Sequence, residues 1–316
     1  MAGFATTTNE HLIRSNLWSN QIKDIFEDEL LGMNHVDWIT DFPDGDTINI
    51  PSIGQAEVRD YEEGQAIRYT AMDTGNFTFT INEYKSSATF VYDKYKQDSF
   101  YMSRVEQMFV PKQARAISKA MEVDLLSRGP DGQTPSNVNA INGANHRWVG
   151  SGTNEVIDVK DFALASYALR KANVPMTNLV AIVDPSVAYK LETSTNLINL
   201  TNNPQWEGVI RDGAMSGTKF RFNVFGWDVY TSQNLKQGIA ETVAGKSVTT
   251  GVANLFFSAA SEALPIVGHI RQAPRVESKR NIDFQRDEYV TTCRYDFKLF
   301  RPENMVVVLT DTDQVS

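Results

Sequence analysis

The most regular hydrophobic pattern in this chain is a two-residue alternation over positions 289–300. Because successive side chains of a β-strand point to opposite faces, this pattern predicts a strand with one buried face and one polar face. The positions that share the apolar face are Tyr289, Thr291, Cys293, Tyr295, Phe297 and Leu299. Arg301-Pro302-Glu303 interrupts the pattern, and an apolar run at 305–309 predicts one further strand.

The strongest helical pattern covers residues 99–128, where apolar side chains recur at steps of three to five. They are Met102, Val105, Phe109, Ala114, Ile117, Met121 and Leu125. Ser99 can cap the start of this helix, and Gly129-Pro130 is expected to end it. Pro111 lies inside the pattern and predicts a kink or a division into two helices. A second pattern of near-helical spacing covers residues 9–31.

A helix, a buried strand and another helix are predicted in succession in the middle of the chain. Asp158 can cap a helix at 161–172, and the continuous apolar run at 179–183 is typical of a strand buried on both faces. Asp184 followed by Pro185 then suits the start of the next helix. The predictions that follow are a strand pair at 220–231 around Gly226, a loop at 237–250 and a strand at 254–257.

Residues 44–95 have a different character, because alternating strands flank a polar and acidic stretch. Strands are predicted at 47–51, at 77–82 and, less regularly, at 88–92. The stretch at 59–75 between them offers few large apolar side chains. It therefore predicts a long hairpin arm whose tip buries little within its own chain and needs a partner surface to become ordered.

Predicted strands and helices are segregated along the chain, which indicates an α+β fold. The 316 residues are 41% hydrophobic and 22% charged, as expected for a folded globular chain. The net charge of −9 disfavours a protein that grips nucleic-acid phosphates. No stretch approaches the ~20 apolar residues that a membrane helix needs, and residues 1–14 lack the pattern of a secretory signal.

No motif for catalysis, cofactor binding or metal binding emerges from the sequence. The four histidines are dispersed without ligand spacing, and the single cysteine is Cys293. Because Cys293 lies on the apolar face of a predicted strand, we expect a buried and inert thiol. Gly245-Lys246-Ser247 ends like a phosphate-binding loop, but Ala240 stands where that loop requires a glycine. We therefore expect no catalytic residue, no metal ligand and no cofactor.

The order of these parts and three short segments resemble the major capsid protein of tailed bacteriophages. Residues 173–186 join an apolar strand to an Asp-Pro helix start, as in the family's axial domain. Residues 225–235 resemble the family's Gly-x-x-Val…Ser…Leu strand, and residues 295–309 resemble its closing segment. The resemblance implies an α+β capsid fold with a long spine helix, an extended β-hairpin called the E-loop and a mixed-sheet axial domain.

The resemblance also implies a division of the chain into four parts. They are an N-terminal arm at 1–45, the E-loop at 46–97, a peripheral domain at 98–155 with 262–302, and an axial domain at 156–261 with 303–316. Relatives that crosslink covalently use a lysine of the E-loop. The arm between Gln55 and Phe90 offers only Lys85, near its stem, so we do not expect crosslinking.

The function that the resemblance implies is that of a non-enzymatic subunit of the icosahedral shell around a double-stranded DNA genome. The implied partners are many copies of itself, as hexamers and pentamers, and a portal. A separate scaffolding protein is expected because the chain shows no long charged helical extension before residue 9. A decoration or cement protein is a further candidate partner, whereas packaged DNA would be contacted only weakly and no membrane at all. The product would be the virion capsid, assembled in the host cytoplasm.

Two alternatives remain open at this point. An encapsulin is a bacterial cage of the same fold that encloses cargo enzymes, and the sequence does not separate it from a phage capsid. A soluble α+β enzyme with an unrecognised site belongs to another class of protein altogether. Neighbouring genes would separate the two shell proteins, and electron microscopy would separate both from an enzyme.

Opposite charges on two segments indicate where copies of the chain could touch. Residues 57–73 of the arm carry a net charge of −3, and residues 271–280 carry +3. In the family that the chain resembles, the E-loop lies across the peripheral domain of an adjacent subunit, where the second segment is expected. The candidate contact residues are Glu62, Glu63, Arg68, Arg275, Lys279 and Arg280. The alternative is that both segments are ordinary solvated surfaces.

Overall fold

The computed structural model describes residues 31–40, 47–53, 74–94, 102–193 and 220–311, together with positions 45, 60, 63 and 64. The helix predicted at 9–31 lies outside this part of the chain except for its last residue, and so does most of the polar stretch of the arm. The described α-helices are α1 (Met102–Asp131), α2 (Val159–Lys171) and α3 (Pro185–Glu192). Short 3-10 helices lie at Gly32–His35, Thr153–Glu155 and Pro302–Asn304.

The strands of the described chain belong to three sheets, one of four strands, one of seven and one of two. They are β1 (Val36–Trp38), β2 (Thr47–Ile53), β3 (Thr74–Thr80), β4 (Glu83–Tyr92), β5 (Arg147–Val149), β6 (Leu179–Val183), β7 (Phe220–Val224), β8 (Trp227–Thr231), β9 (Ile239–Val243), β10 (Lys246–Ser258), β11 (Ile266–Asn281), β12 (Arg286–Leu299) and β13 (Val306–Asp311). Strands and helices are segregated, so the α+β prediction is confirmed.

The seven-stranded sheet forms the centre of the molecule. Its order is β5-β13-β10-β6-β8-β7, with β9 paired to β10. The pairs β5–β13 and β6–β8 are parallel and the other pairs are antiparallel, so the sheet is mixed. Every residue of β6 and of β13 is buried, as the continuous apolar runs predict. Helices cover both faces, because Leu255 and Phe257 share a core cluster with α1 while Phe256 shares one with α2 and α3.

The four-stranded sheet has the order β1-β11-β12-β4 and packs one face against α1. The alternation predicted for β12 is confirmed, because Thr291, Cys293, Tyr295 and Phe297 are buried in that face. The register pairs Ser278 of β11 with Tyr289 of β12, and Tyr289 with Thr89 of β4. On the opposite face every second residue of β4 is exposed. This sheet is therefore covered on one side only.

Helix α1 lies between these two sheets and runs unbroken through Pro111. The predicted division at Pro111 and the predicted stop at Gly129-Pro130 are therefore both wrong. A proline removes one backbone hydrogen bond, at a cost of about 3 kcal/mol in a helix interior, whereas α1 buries apolar side chains against both sheets. Gly129 serves close packing instead of ending the helix, since a Cβ atom there would lie 2.9 Å from Leu255 Cδ2.

Helices α2 and α3 begin where their capping residues predict. The Asp158 side chain caps α2, and Asp161 completes a capping box by accepting the Asp158 backbone N–H at 2.9 Å. Asp184 caps α3, because its Oδ2 accepts the Ser186 N–H at 2.9 Å, with Pro185 in the first turn. Both helices therefore start with satisfied backbone donors.

The loop predicted at 237–250 is wrong, because these residues form the β9–β10 hairpin. Its turn consists of Ala244 and Gly245, with φ angles of +51° and +82°, which suits a tight two-residue turn between twisted strands. Val243 and Val248 are buried on its inner side. Lys246 donates to the Gly150 carbonyl oxygen at 2.8 Å, so the resemblance to a phosphate-binding loop is without structural support.

Candidate assembly surfaces

The stem of the predicted arm is a two-stranded sheet made of β2 and β3. Its register pairs Ile48 with Phe79 and Ile50 with Phe77. Among the described strands, β2 and β3 pair only with each other. Phe79 and Ile81 of the arm are buried in a small apolar cluster that also contains Ile39, which follows β1. Both outer edges of this sheet therefore offer backbone groups for which the described chain provides no strand partner.

The base of the arm contacts the C-terminal end of β12 in the four-stranded sheet. The rings of Phe77 and Phe300 meet edge to face, with centroids 4.8 Å apart. Lys298 lies 4.8 Å from the Phe77 ring centroid and donates to the Thr78 carbonyl oxygen at 2.6 Å. These contacts set the direction in which the arm leaves the body, although they involve few side chains.

An exposed apolar cluster lies at the tip of the β11–β12 hairpin. Ile282 is 72% exposed and Phe284 is 60% exposed, and Phe90 at the neighbouring end of β4 is also exposed. The Arg286 guanidinium lies 4.6 Å from the Phe90 ring centroid and 4.8 Å from that of Phe284, so it bridges the two rings. Large apolar side chains exposed side by side are typical of a surface that contacts another protein.

Ion pairs hold this tip against the end of β4. Arg280 donates to both carboxylate oxygens of Asp93 and to Asp287 at 3.2 Å. The hydrogen bonds with Asp93 raise the pKa of Arg280 further. Arg286 pairs with Glu288 at 2.7 Å. The cation of Arg280, which the sequence assigns to a contact between subunits, is therefore bound within its own chain.

The remaining predicted contact residues are placed as follows. Glu63 is exposed in a turn, whereas Glu62 and Arg68 lie outside the described residues. Arg275 and Lys279 are exposed on one face of β11, and Arg275 pairs with Glu277 at 3.4 Å. Within the part of the chain that the structure describes, Glu63 forms no ion pair with the basic residues of β11. The structure therefore places Arg275 and Lys279 on an exposed part of β11.

A network of ion pairs joins β4, α1 and β12 at a place that sequence reasoning missed. Arg128 of α1 donates to Glu83 and to Asp296, each at 3.2 Å. Lys85 lies 3.1 Å from Glu83 and 3.2 Å from Asp124. The hydrogen bond with Glu83 is the main cause of the raised pKa of Lys85. Lys85 is thus held in an intrachain network.

Tyr295 and Cys293 line the buried side of this network. The Tyr295 hydroxyl donates to Asp124 at 2.6 Å, and burial followed by this hydrogen bond raises the pKa of Tyr295. Cys293 is fully buried, burial raises the pKa of its thiol, and Sγ lies 3.1 Å from the Gln272 carbonyl oxygen. The predicted burial of Cys293 is confirmed, and both groups contribute to packing between α1 and the sheet.

The described part of the chain contains no cluster of three or more His, Cys, Asp or Glu residues with the geometry to hold a metal ion. Within the same residues, no helix has both the length and the apolar character needed to cross a membrane. The surfaces described above are the candidate functional sites.

Comparison with known proteins identifies the family. The family model described as "Phage capsid protein" matches residues 99–308, which is more than half of the chain. No curated protein sequence matches the chain. Among solved structures, a chain from Mycobacterium phage Che8 is 19% identical with a TM-score of 0.68, and the match covers 92% of this chain and 95% of that one.

Two further capsid structures share the fold at lower identity. A chain in the capsid of cyanophage P-SCSP1u is 14% identical with a TM-score of 0.70, covering 95% of this chain and 93% of that one. A chain in the capsid of a native GTA particle is 8% identical with a TM-score of 0.64, covering 99% and 100%. The fold predicted from the resemblance is therefore confirmed, and neither comparison favours the encapsulin alternative. The chain belongs to the phage capsid protein family and is a subunit of a phage capsid shell.

Proposed function

We propose that this subunit acts by self-assembly alone, forming hexamers and pentamers that close into an icosahedral shell around double-stranded DNA, with no catalytic activity. The observation that carries this proposal is the arm, whose two strands pair with no other described strand. Ordering such a ribbon costs conformational entropy that its small core offsets poorly, so contact with another copy is the natural source of the missing stabilisation. The net charge of −9 supports only weak contact with DNA.

We infer the same four-part division as the resemblance implies, except that three strands move between its parts. Strand β1 moves from the N-terminal arm to the peripheral domain, because it pairs with β11. The peripheral domain comprises α1 and the four-stranded sheet, and the axial domain comprises the seven-stranded sheet with α2 and α3. Strand β4 then belongs to the peripheral domain, because it pairs with β12, although its residues lie between 46 and 97. Strand β5 belongs to the axial domain, because it pairs with β13. The E-loop is reduced to the arm around β2 and β3.

Electron microscopy of the purified full-length chain tests the proposal. We expect rings or closed shells from the chain alone, or after coexpression with a separate scaffolding protein and a portal in bacterial cytoplasm. A cement protein, where one is encoded nearby, should bind the closed shells and not the isolated subunit. A chain that stays monomeric at high concentration under all these conditions would contradict the proposal.

The charge contact between neighbouring copies is a finer proposal. Lys279 and Arg275 of β11 are exposed, and the pair of Arg275 with Glu277 is itself exposed, so both cations can face the acidic arm of another copy. Arg280 is instead held by Asp93 and Asp287. The double variant Glu62→Lys/Glu63→Lys should therefore reduce shell yield, more strongly at low salt, because screening is weaker there. Single exposed pairs contribute only ~0–1 kcal/mol, but every copy in a shell repeats them.

Rescue distinguishes this contact from a general effect of charge. Adding Arg275→Glu/Lys279→Glu to the first variant should restore part of the shell yield. The matched control adds Lys160→Glu/Lys171→Glu, two exposed lysines at the ends of α2, and should restore none. Equal rescue by both pairs, or normal assembly of the first variant, would rule out the contact while leaving the shell function standing.

A further inference from the structure

A pocket of about 320 Å³ opens beside β5, at one edge of the seven-stranded sheet, and is called the β5 pocket below. Its apolar wall consists of Trp148 and Val149 of β5 together with Leu164 and Tyr167 of α2. Leu164 and Tyr167 are exposed, although the opposite face of α2 is buried. A pocket of this size with aromatic and aliphatic walls is suited to receive an apolar group, such as the anchor residue of a partner protein.

The two charged side chains that line the β5 pocket are bonded to groups of its own wall. Asp161 accepts from Trp148 Nε1 at 3.1 Å and from the backbone N–H of Ser151 at 2.9 Å. Lys246 donates to the Gly150 carbonyl oxygen at 2.8 Å. Because the two charges cancel and each is already engaged, the pocket favours an uncharged apolar occupant over an ion.

An exposed aromatic side chain projects from the opposite edge of the same sheet. Phe225 and Gly226 form the two-residue turn between β7 and β8, since Val224 pairs with Trp227. The Phe225 side chain is 60% exposed and belongs to no apolar cluster of the described chain. Among the described strands of this sheet, β5 is the outermost on one side and β7 is the outermost on the other. The β5 pocket and the Phe225 ring therefore lie at opposite edges.

Phenylalanine is an unfavourable residue for this turn. The φ angles are +49° at Phe225 and +84° at Gly226. A two-residue turn with two positive φ angles favours Asn-Gly, Asp-Gly or Gly-Gly, and a bulky side chain at a positive φ is an outlier. Since the exposed ring adds no packing within the described chain, a contact outside the chain explains why phenylalanine occupies this position.

The surroundings of Phe225 match the neutral pocket better than the other exposed apolar tip does. Residues 222–227, Phe-Asn-Val-Phe-Gly-Trp, contain no charged side chain. The tip of the β11–β12 hairpin also exposes apolar side chains, but Asp283 and Arg286 lie among them. Inserting that tip would bring two charges into an apolar pocket, which is costly. The β7–β8 turn is therefore the better complement.

We propose that Phe225 of one copy inserts into the β5 pocket of the next copy, against Trp148, Leu164 and Tyr167. This inference rests on the proposed function, in which copies form hexamers and pentamers, and it identifies a contact that holds such a ring together. Because the two surfaces differ and lie at opposite edges of the sheet, the contact is head-to-tail. Head-to-tail contacts close into rings when the rotation between copies permits, whereas a surface that binds itself gives only pairs.

Disulfide trapping between copies tests the contact in the full-length chain. Phe225→Cys combined with Leu164→Cys should give, on mild oxidation during assembly, a ladder of linked chains that ends at five and six. The native Cys293 is buried and does not compete. The matched control combines Phe225→Cys with Val123→Cys on α1 and should give no ladder, although Val123 is 39% exposed and Leu164 is 38% exposed. Equal ladders in both, or linked pairs as the largest product, overturn the proposal.

The variant Phe225→Asn separates the contact from the fold. Asparagine suits a positive φ, so the variant should unfold at a temperature no lower than the parent chain does, yet it should form at least about ten-fold fewer rings. The control is Tyr189→Gln on α3, where the side chain is 57% exposed, and its ring yield should not change. Normal ring yield in Phe225→Asn overturns the contact and leaves the shell function standing. Failure of the unmodified chain to assemble would instead contradict the shell function itself.

Mixing two variants tests whether the contact is head-to-tail. Leu164→Arg places a charge in the β5 pocket and should reduce ring yield as much as Phe225→Asn does, since Leu164 is exposed and its replacement leaves the fold intact. An equimolar mixture of the two variants should form pairs but not rings, because only one intact ring-and-pocket contact is available in each pair. Rings of normal yield from the mixture overturn the proposal.

Discussion

The seven-stranded sheet and the β2–β3 arm use similar apolar residues but bury them to very different extents. Every residue of β6 and β13 is buried, and helices cover both faces of that sheet. The described part of the arm has a core of two buried residues, Phe79 and Ile81, and neither of its strands pairs with another sheet. The sheet is stabilised within its own chain, whereas the arm is held mainly at its base.

This difference separates folding from assembly. Burial of apolar surface within one chain stabilises the subunit at any concentration, whereas contacts between copies stabilise it only when copies meet. Substitutions in the sheet should therefore change the free energy of unfolding, and substitutions in the arm should change shell yield. The following predictions test that separation, beginning with the largest expected effect.

Phe256→Ala should give the largest loss of stability. The Phe256 ring is fully buried between Phe162 and Trp227, with centroid distances of 5.1 and 5.3 Å. Removing such a ring costs about 3–5 kcal/mol, because it leaves a cavity and loses apolar burial. Urea denaturation of the subunit measures this change. Ile48→Ala in the arm is the control and should cost less than ~1.5 kcal/mol, since the side chain is only partly buried. Similar losses of stability in both variants would contradict the conclusion that the seven-stranded sheet, and not the arm, stabilises the isolated subunit.

The ion pair between Arg147 and Glu241 should also contribute more to the free energy of unfolding than an exposed ion pair does. Arg147 is 1% exposed and forms bidentate hydrogen bonds to Glu241 at 2.8 and 3.0 Å. Glu241→Gln leaves a buried guanidinium without its counter-charge, so the free energy of unfolding should fall by about 3 kcal/mol. The exposed pair of Arg275 and Glu277 provides the control, because Glu277→Gln should cost at most ~1 kcal/mol. Comparable losses in the free energy of unfolding for the two variants would show that burial does not determine how much these ion pairs stabilise the fold.

A smaller, pH-dependent effect should come from His146 beside β5. The side chain is fully buried, and burial lowers its pKa below the ordinary value of 6.5. The unfolded chain therefore binds a proton more readily than the folded one. The contribution of His146 is complete above pH 6.5 and is lost as the pH falls towards its folded pKa, with a slope of at most ~1.4 kcal/mol per pH unit.

Denaturation at pH 7.5 and pH 5.5 measures this slope. His146→Gln should reduce the loss of stability on acidification, whereas part of the loss should remain because burial also lowers the pKa of His35. Hydrogen bonding to the backbone of Ala144 and of Glu303, together with the charge of Glu303, raises the pKa of His146 and so opposes the effect of burial. A slope that is identical in the variant and the parent chain would exclude His146 as its source.

The smallest effect on stability should accompany Lys298→Ala at the base of the arm. Lys298 is exposed, and its contacts with the Phe77 ring and the Thr78 carbonyl oxygen are worth about 0.5–1 kcal/mol. Shell yield should nevertheless fall, because the direction of the arm is no longer set. Lys160→Ala on α2 is the control and should change neither quantity. A loss of stability with unchanged shell yield would contradict the proposal that the contacts of Lys298 with Phe77 and Thr78 set the direction of the arm.

Local patterns predicted much of the fold because the decisive interactions lie close together in sequence. The caps Asp158 and Asp184 and the alternation along β12 are of this kind. The β9–β10 hairpin was missed because its turn is Ala-Gly, and alanine seldom adopts a positive φ. The break predicted at Pro111 does not occur, because the free-energy cost of proline in the helix is outweighed by packing of α1 against strands far away in sequence.

The candidate surfaces were harder to predict from sequence. The sequence suggested that Arg280 could contact another subunit. In the structure its guanidinium donates to Asp93, which is 187 positions away in the chain. The network of Arg128, Glu83 and Asp296 likewise joins three distant elements. Charge along a segment does not reveal which cations are already paired in the fold, and contacts with other copies leave no pattern within one chain.

The position of β13 has a consequence for the order of events during synthesis. This strand follows every other strand of the seven-stranded sheet along the chain, yet it lies in the interior of the sheet, between β5 and β10. Until it emerges from the ribosome, β5 has no strand to pair with and one edge of β10 is bare. Completion of the central sheet therefore waits for β13, the last of its described strands along the chain. A chain that lacks β13 leaves both of its neighbours, β5 and β10, without the partner that joins them.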